Sequence, residues 1–111
     1  GIKEQVLQAW GDTERFTAAT YALVAQVDSG ASISSEASAN KIFWSEMDRT
    51  MHRTAMTIMG MRAELEEGDG AIENGRWLDG YMFSLAGPIY AGTNEIQRNI
   101  LAERVLGLPR Q

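Results

Sequence analysis

An all-α chain is predicted: an up-and-down helical bundle of two long helices, one short helix and one terminal helix. Three observations predict it. Apolar residues recur at steps of three and four over most of the length, the signature of one buried helix face. Gly, Pro and capping residues gather at a few boundaries rather than throughout. Helices of this length cannot hide their apolar stripes alone, so they must pack on one another. With 111 residues, the chain is expected to form a single domain, 1–111.

Gly1 is set aside as an expected cloning remnant. Ile2, Val6, Ala9, Trp10, Phe16, Ala19, Leu23, Val24 and Val27 mark the first helix. Gly11-Asp12 interrupts the pattern, and Asp12 or Thr13 could cap a fresh helix there. One long helix with a soft point, or a short helix followed by a longer one, is therefore expected. Asp28-Ser29-Gly30 reads as a turn. Ser32, Ser34 and Ser35 offer N-caps before Glu36, an acidic residue suited to a first turn.

From Glu36 to about Leu65 runs the strongest helix. Phe43, Trp44, Met47, Met51, Ala55, Ile58 and Met59 form its stripe, and Glu46, Asp48, Arg49, Arg53 and Arg62 take the other sides. Such a Met/Trp stripe is more often core than a cofactor box. His52 lies among polar neighbours and reads as a surface or hydrogen-bonded histidine rather than a catalytic one. Residues 66–76, EEGDGAIENGR, combine Gly and acid and read as an exposed link. Their carboxylates lack EF-hand spacing, so a solvated loop is expected and no metal site. Trp77, Tyr81 and Leu85, with Met82 beside them, imply a short helix ending at Gly87-Pro88.

The stretch PIYAGTNEIQRNILAERVLGLPR, residues 88–110, closes the chain. Pro88 fixes φ, Gly92 can take backbone angles closed to other residues, and Thr93 is a good N-cap. Asn94 to Leu106 contains no Gly or Pro and should be helix. Gly107 sits at a C′ position with Pro109 beyond. The N-terminus of such a helix is a general device for holding a phosphate, though every capped helix has one.

Composition excludes several classes. There is no Cys, hence neither a disulfide framework nor a thiolate metal site, and the single histidine excludes a His cluster. A net charge of −5 argues against nucleic acid or an anionic membrane as partner. No apolar run approaches the roughly 20 residues that cross a bilayer. A signal-peptide core is absent from the start, so a cytoplasmic location is expected. Three Trp and six Met are generous for 111 residues, and part of that apolar payload is expected to face a partner.

Tyr90-Ala91-Gly92-Thr93-Asn94-Glu95-Ile96-Gln97-Arg98, running on to Arg110, closely resembles the C-terminal signature of flavin-dependent acyl-CoA dehydrogenases. The resemblance extends over the whole chain and is sharp over residues 89–110. It implies the family's C-terminal helical domain without its opening helix. It also implies FAD as cofactor, an acyl-CoA substrate oxidised to the 2,3-enoyl-CoA, and electron-transfer flavoprotein or a similar acceptor. A homo- or hetero-oligomer and a place in fatty-acid or other lipid metabolism go with it. Position by position, Tyr90 and Gly92 resemble residues beside the substrate thioester. Thr93, Asn94, Glu95 and Ile96 resemble the flavin-contacting run. Thr57 and Gly60, within Thr57-Ile58-Met59-Gly60, resemble more loosely a segment that touches a neighbouring subunit's flavin, where Thr57 and Met61 depart from the usual residues.

Ala91 is the largest departure. Many family members place the catalytic Glu directly before the Gly-Thr pair, and a methyl group accepts no proton. The resemblance therefore implies no catalytic residue in this chain. Two function classes follow. One is an enzyme domain whose base lies upstream. The other is a non-catalytic subunit that completes a neighbour's flavin site.

Overall fold

In the computed structural model, which describes residues 1–110, the first helix (α1, Ile2–Asp28) runs unbroken. The soft point at Gly11-Asp12 is spliced by side chains. Gln8 Nε2 donates to Asp12 Oδ1 at 2.8 Å, Arg15 Nη1 to the same oxygen at 3.1 Å, and Thr13 Oγ1 to the carbonyl of Ala9 at 2.8 Å. Asp12 and Thr13 thus bind within the helix instead of capping a new one. The predicted Asp28-Ser29-Gly30 turn is present, with Gly30 at φ 87°.

The second helix (α2, Ser34–Met59) starts from Ile33, and none of the candidate serines caps it through its side chain. Ser35 Oγ instead donates to Glu36 Oε2 at 2.7 Å. That bond, with one to the backbone, holds the Glu36 carboxyl below the usual carboxylate range. α2 is shorter than the apolar periodicity implies. Gly60, at φ 57° and ψ −135°, turns the chain into a 3-10 stretch over Gly60–Glu64.

The acidic link is more built than expected. Glu73, Asn74 and Gly75 are all left-handed, at φ 48°, 53° and 73°, and lead into the third helix (α3, Arg76–Ser84). Gly75 is buried, and a Cβ there would stand 2.8 Å from both Cα and the carbonyl oxygen of Glu66. Only glycine meets both demands, the left-handed φ and the close backbone. The last helix (α4, Asn94–Arg104) stops two residues before Leu106, and Gly107 at φ 66° lets the Leu108 N–H reach the Ala102 carbonyl at 3.0 Å.

The elements are all-α, with no strand among the described residues. α2 is a shared spine: α1 packs on it, α3 and α4 pack on it, and the three outer helices scarcely meet one another. The bundle is therefore open. Phe16 of α1 stacks on Phe43 of α2 with ring centroids 6.5 Å apart. The buried residues of α2 are Ser38, Ser45 and Thr54, whereas the large members of the predicted stripe are half-buried or, like Phe43 and Ile58, exposed. Small residues let helices approach closely. α3 rides over His52 at Gly80, where a Cβ would lie 2.5 Å from Nε2. His52 Nδ1 lies 2.9 Å from the Asp48 carbonyl oxygen, so it is the hydrogen-bonded histidine expected.

The radius of gyration is 17.2 Å, against about 13 Å for a compact chain of this length. The accessible surface is 7890 Å², against about 6,100 Å² for a compact monomer of this size. Exposed apolar residues gather along α1, where Ile2, Leu7, Trp10 and Val24 are each more than half exposed. Exposed apolar area on this scale marks interfaces. The chain alone should therefore sediment as an oligomer at micromolar concentrations; a purely monomeric boundary would contradict this.

Candidate functional site

The chain leaves α3 through Ala86-Gly87-Pro88 and crosses the spine at Ser45. Glycine suits the crossing, because a Cβ at Gly87 would lie a tight 3.3 Å from that of Ser45 and 3.2 Å from the Ser84 carbonyl oxygen. Tyr90 then wedges between α2 and α3, its ring centroid 6.0 Å from Trp44 and 6.4 Å from Phe83. Ala91 and Gly92 follow, both left-handed, at φ 55° and 81°. Gln97 Nε2 reaches back to the Ala91 carbonyl oxygen at 2.9 Å and closes the turn.

Thr93 is the N-cap of α4, as expected: the Ile96 N–H donates to its Oγ1 at 3.2 Å. The hydroxyl proton of Thr93 stays available. Asn94 is where the site differs most from a simple row of ligand contacts. It is only 2% exposed, and its side chain points inward. Its Oδ1 accepts from Lys41 Nζ at 2.8 Å, and its Nδ2 donates to Ser45 Oγ at 3.0 Å and Glu46 Oε1 at 3.3 Å. Its N–H is taken by the Pro88 carbonyl at 2.9 Å. Glu46 in turn pairs with Arg98. Asn94 therefore ties α4 to α2 and offers nothing outward.

The outward donors are fewer than a bare helix end would give. Of the first three N–H groups of α4, those of Asn94 and Ile96 have partners within the chain and that of Glu95 has none. The Thr93 N–H, just before the helix, is likewise unpaired within the chain. Glu95 and Ile96 are exposed beside them, and Tyr90 and Gly92 line the approach. Thr57 and Gly60 are exposed too, but elsewhere. From Lys41 to Thr57 is sixteen residues along α2, about 24 Å at 1.5 Å per residue. The structure thus gathers Tyr90, Gly92, Thr93, Glu95 and Ile96 at one exposed turn and sets Thr57 and Gly60 apart at the far end of the spine.

Two participants carried no sequence signal of their own. Lys41 and Ser45 read as a charge and a small residue on a helix, and only the fold brings them beneath residue 94. Beyond α4, Arg110 Nε donates to Glu103 Oε2 at 2.8 Å, a bond that raises the Arg110 pKa above its ordinary value.

Residues 1–106 match the family model described as acyl-CoA dehydrogenase, C-terminal domain. The chain belongs to the acyl-CoA dehydrogenase family. It is 37% identical over 111 residues to the acyl-CoA dehydrogenase IpdE1 of Mycolicibacterium smegmatis, covering 99% of this chain and 26% of that protein. It is 36% identical over 110 residues to IpdE1 of Mycobacterium tuberculosis, covering 99% of this chain and 27% of that protein. The chain thus spans about a quarter of the length of these relatives. Among solved structures, the ChsE4-ChsE5 complex from Mycobacterium tuberculosis aligns with TM-score 0.85 and 29% identity over 99% of this chain and 29% of that one. The steroid ACAD Tcur3481-Tcur3483 aligns with TM-score 0.90 over 99% of this chain and 29% of that one; at 21% identity this likeness speaks for the fold alone. The resemblance seen in the sequence and the all-α fold are both borne out.

Ala91, at φ 55°, occupies a conformation that costs a non-glycine residue roughly 1–2 kcal/mol. Glycine there would relieve that strain and return about 0.5–1 kcal/mol through its freer unfolded chain. Ala91→Gly should therefore leave stability unchanged or raise it by up to about 1.5 kcal/mol in urea melts. A clear loss would contradict the left-handed assignment.

Proposed function

We propose that this chain is the C-terminal helical part of an FAD-dependent acyl-CoA dehydrogenase, which oxidises an acyl-CoA thioester to its 2,3-enoyl form. The single observation that carries the reading is the exposed Tyr90–Thr93 turn, with its unpaired N–H groups, on a chain that belongs to this family.

The residues present fit a flavin in part. The Thr93 hydroxyl and N–H and the Glu95 N–H are donors at the positive end of α4, suited to an anionic or carbonyl oxygen. The Glu95 carboxylate stands at the same end, and with 79% of its side chain exposed it is free to turn into solvent. Bound there, FAD would supply the acceptor for the hydride that leaves the substrate β carbon. Tyr90 and Gly92 would border the thioester. Ala91 offers only a methyl group, so this chain takes no proton from the α carbon, and the base belongs to other residues of the full-length protein. Asn94 serves the site from behind, through α2. Thr57 and Gly60, at the far end of α2, would serve a different flavin from the one at Thr93, as a neighbouring subunit's would be.

IpdE1 is named an acyl-CoA dehydrogenase, which supports an acyl-CoA thioester as the substrate. A cytoplasmic setting and electron-transfer flavoprotein as acceptor remain part of the proposal. The second reading, a non-catalytic subunit of a hetero-oligomer, is favoured by one observation beyond Ala91: the similar ChsE4-ChsE5 structure is itself a complex of two different chains.

Thr93→Ala in the full-length protein tests the site. Loss of the cap should lower stability by roughly 0.5–2 kcal/mol. Loss of a hydrogen bond to flavin, worth about 0.5–1.5 kcal/mol, should also weaken flavin binding several-fold. Flavin titration of the apo-protein beside denaturant melts reads both. A destabilised variant that binds flavin as tightly as wild type would show that Thr93 is only a cap.

A further inference from the structure

Lys41 stands on α2 one turn before Ser45 and is half-buried. Ammonium groups taken from water need strong partners, and a carboxylate is the usual one. Here both partners are neutral oxygens: the carbonyl of Gly92 at 2.8 Å and Asn94 Oδ1 at 2.8 Å. Those acceptors flank Thr93 and lie more than fifty residues away along the chain. No carboxylate among the described residues pairs with Lys41, since Glu46, one turn along, is engaged by Arg98 and Asn94.

A peptide group is planar and trans, so its carbonyl and N–H point in opposite directions. Drawing the Gly92 carbonyl onto Lys41, toward α2, therefore drives the Thr93 N–H away from α2. That N–H is unpaired within the chain. The neighbouring φ values of 55° and 81° lie where no regular hydrogen-bond ladder holds the backbone. The peptide planes of the turn need an external fix, and the ammonium supplies one. The second Lys41 contact holds the amide of Asn94 and with it the start of α4.

We propose that Lys41 is the positioning residue of the Tyr90–Thr93 turn: its ammonium clamps the Gly92 carbonyl and so aims the Thr93 N–H at the bound ligand. The assignment of that ligand as flavin rests on the function proposed above; the clamp itself does not. Lys41 touches neither cofactor nor substrate. It acts through the backbone it holds.

The test uses the full-length protein carrying Lys41→Met, Lys41→Gln and Lys41→Arg. Amide hydrogen exchange is read over residues 91–97 and over the middle of α1, and flavin dissociation constants are measured on the same samples. For Lys41→Met, exchange over 91–97 should quicken at least tenfold while α1 is unchanged, and flavin should bind about tenfold more weakly. Lys41→Arg, which keeps the charge and its donors, should recover most of both effects. Should Lys41→Met fail to fold, Lys41→Gln is read in its place, with the same two effects expected relative to wild type and the same recovery by arginine. Unchanged exchange over 91–97, an equal rise throughout the chain, or an arginine variant no better than methionine would each overturn the clamp. If the wild-type protein binds no flavin, the proposed function falls, and the exchange measurements alone decide on Lys41.

Discussion

A single asparagine amide joins the two parts of this chain that have to agree. Asn94 opens α4, yet its side chain turns back onto α2, where Lys41, Ser45 and Glu46 meet all of its polar capacity. Its own N–H closes onto Pro88. A buried amide left without partners would cost about 1–3 kcal/mol, so this position is tolerable only because each partner is in place. Among the described residues no buried side-chain N or O lacks a hydrogen bond. The direction of α4, the shape of the turn before it and the exposure of Thr93 all follow from where that amide is held.

The rest of the scaffold is arranged to bring backbone close to the spine at that point. Ser45, fully buried, faces Gly87, and Gly80 clears His52 one helix over. Where the crossings are tight, the side chains are small, and the large apolar groups splay to the flanks. The only hydrophobic residue buried in the chain's described part is Ala63. Such a chain draws little stability from its own core. Trp10 and the aliphatic residues along α1 are left uncovered by the rest of the chain, which spans about a quarter of its relatives' length.

The terminal motif was legible because its chemistry is local. Pro88, Gly92, Thr93 and Gly107 each impose a backbone angle or a cap, and such constraints need no tertiary partner. The helix pair was legible from periodicity, and the turn at Gly30 from composition. What the sequence hid was tertiary or strained. The end of α2 was overrun because the apolar period continues through Gly60, while the turn there depends on its φ of 57°. The left-handed Glu73 and Ala91 carry no residue-type signal, since non-glycine residues rarely adopt such angles. Asn94 stands among the residues that resemble a flavin-contacting run, and its inward turn carries no signal, because at a helix start an asparagine can face either way. Only its partner on α2 decides.

A double-mutant cycle on Lys41 and Asn94 bears most directly on the polar tie between α2 and α4. Lys41→Met, Asn94→Ala and the double variant are compared with wild type by denaturant unfolding. Two residues that share one buried hydrogen-bonded network should couple by about 0.5–3 kcal/mol, so the double variant loses less than the two single losses together. Strictly additive losses would mean that Lys41 and Asn94 act independently and that α4 is held to the spine by something else.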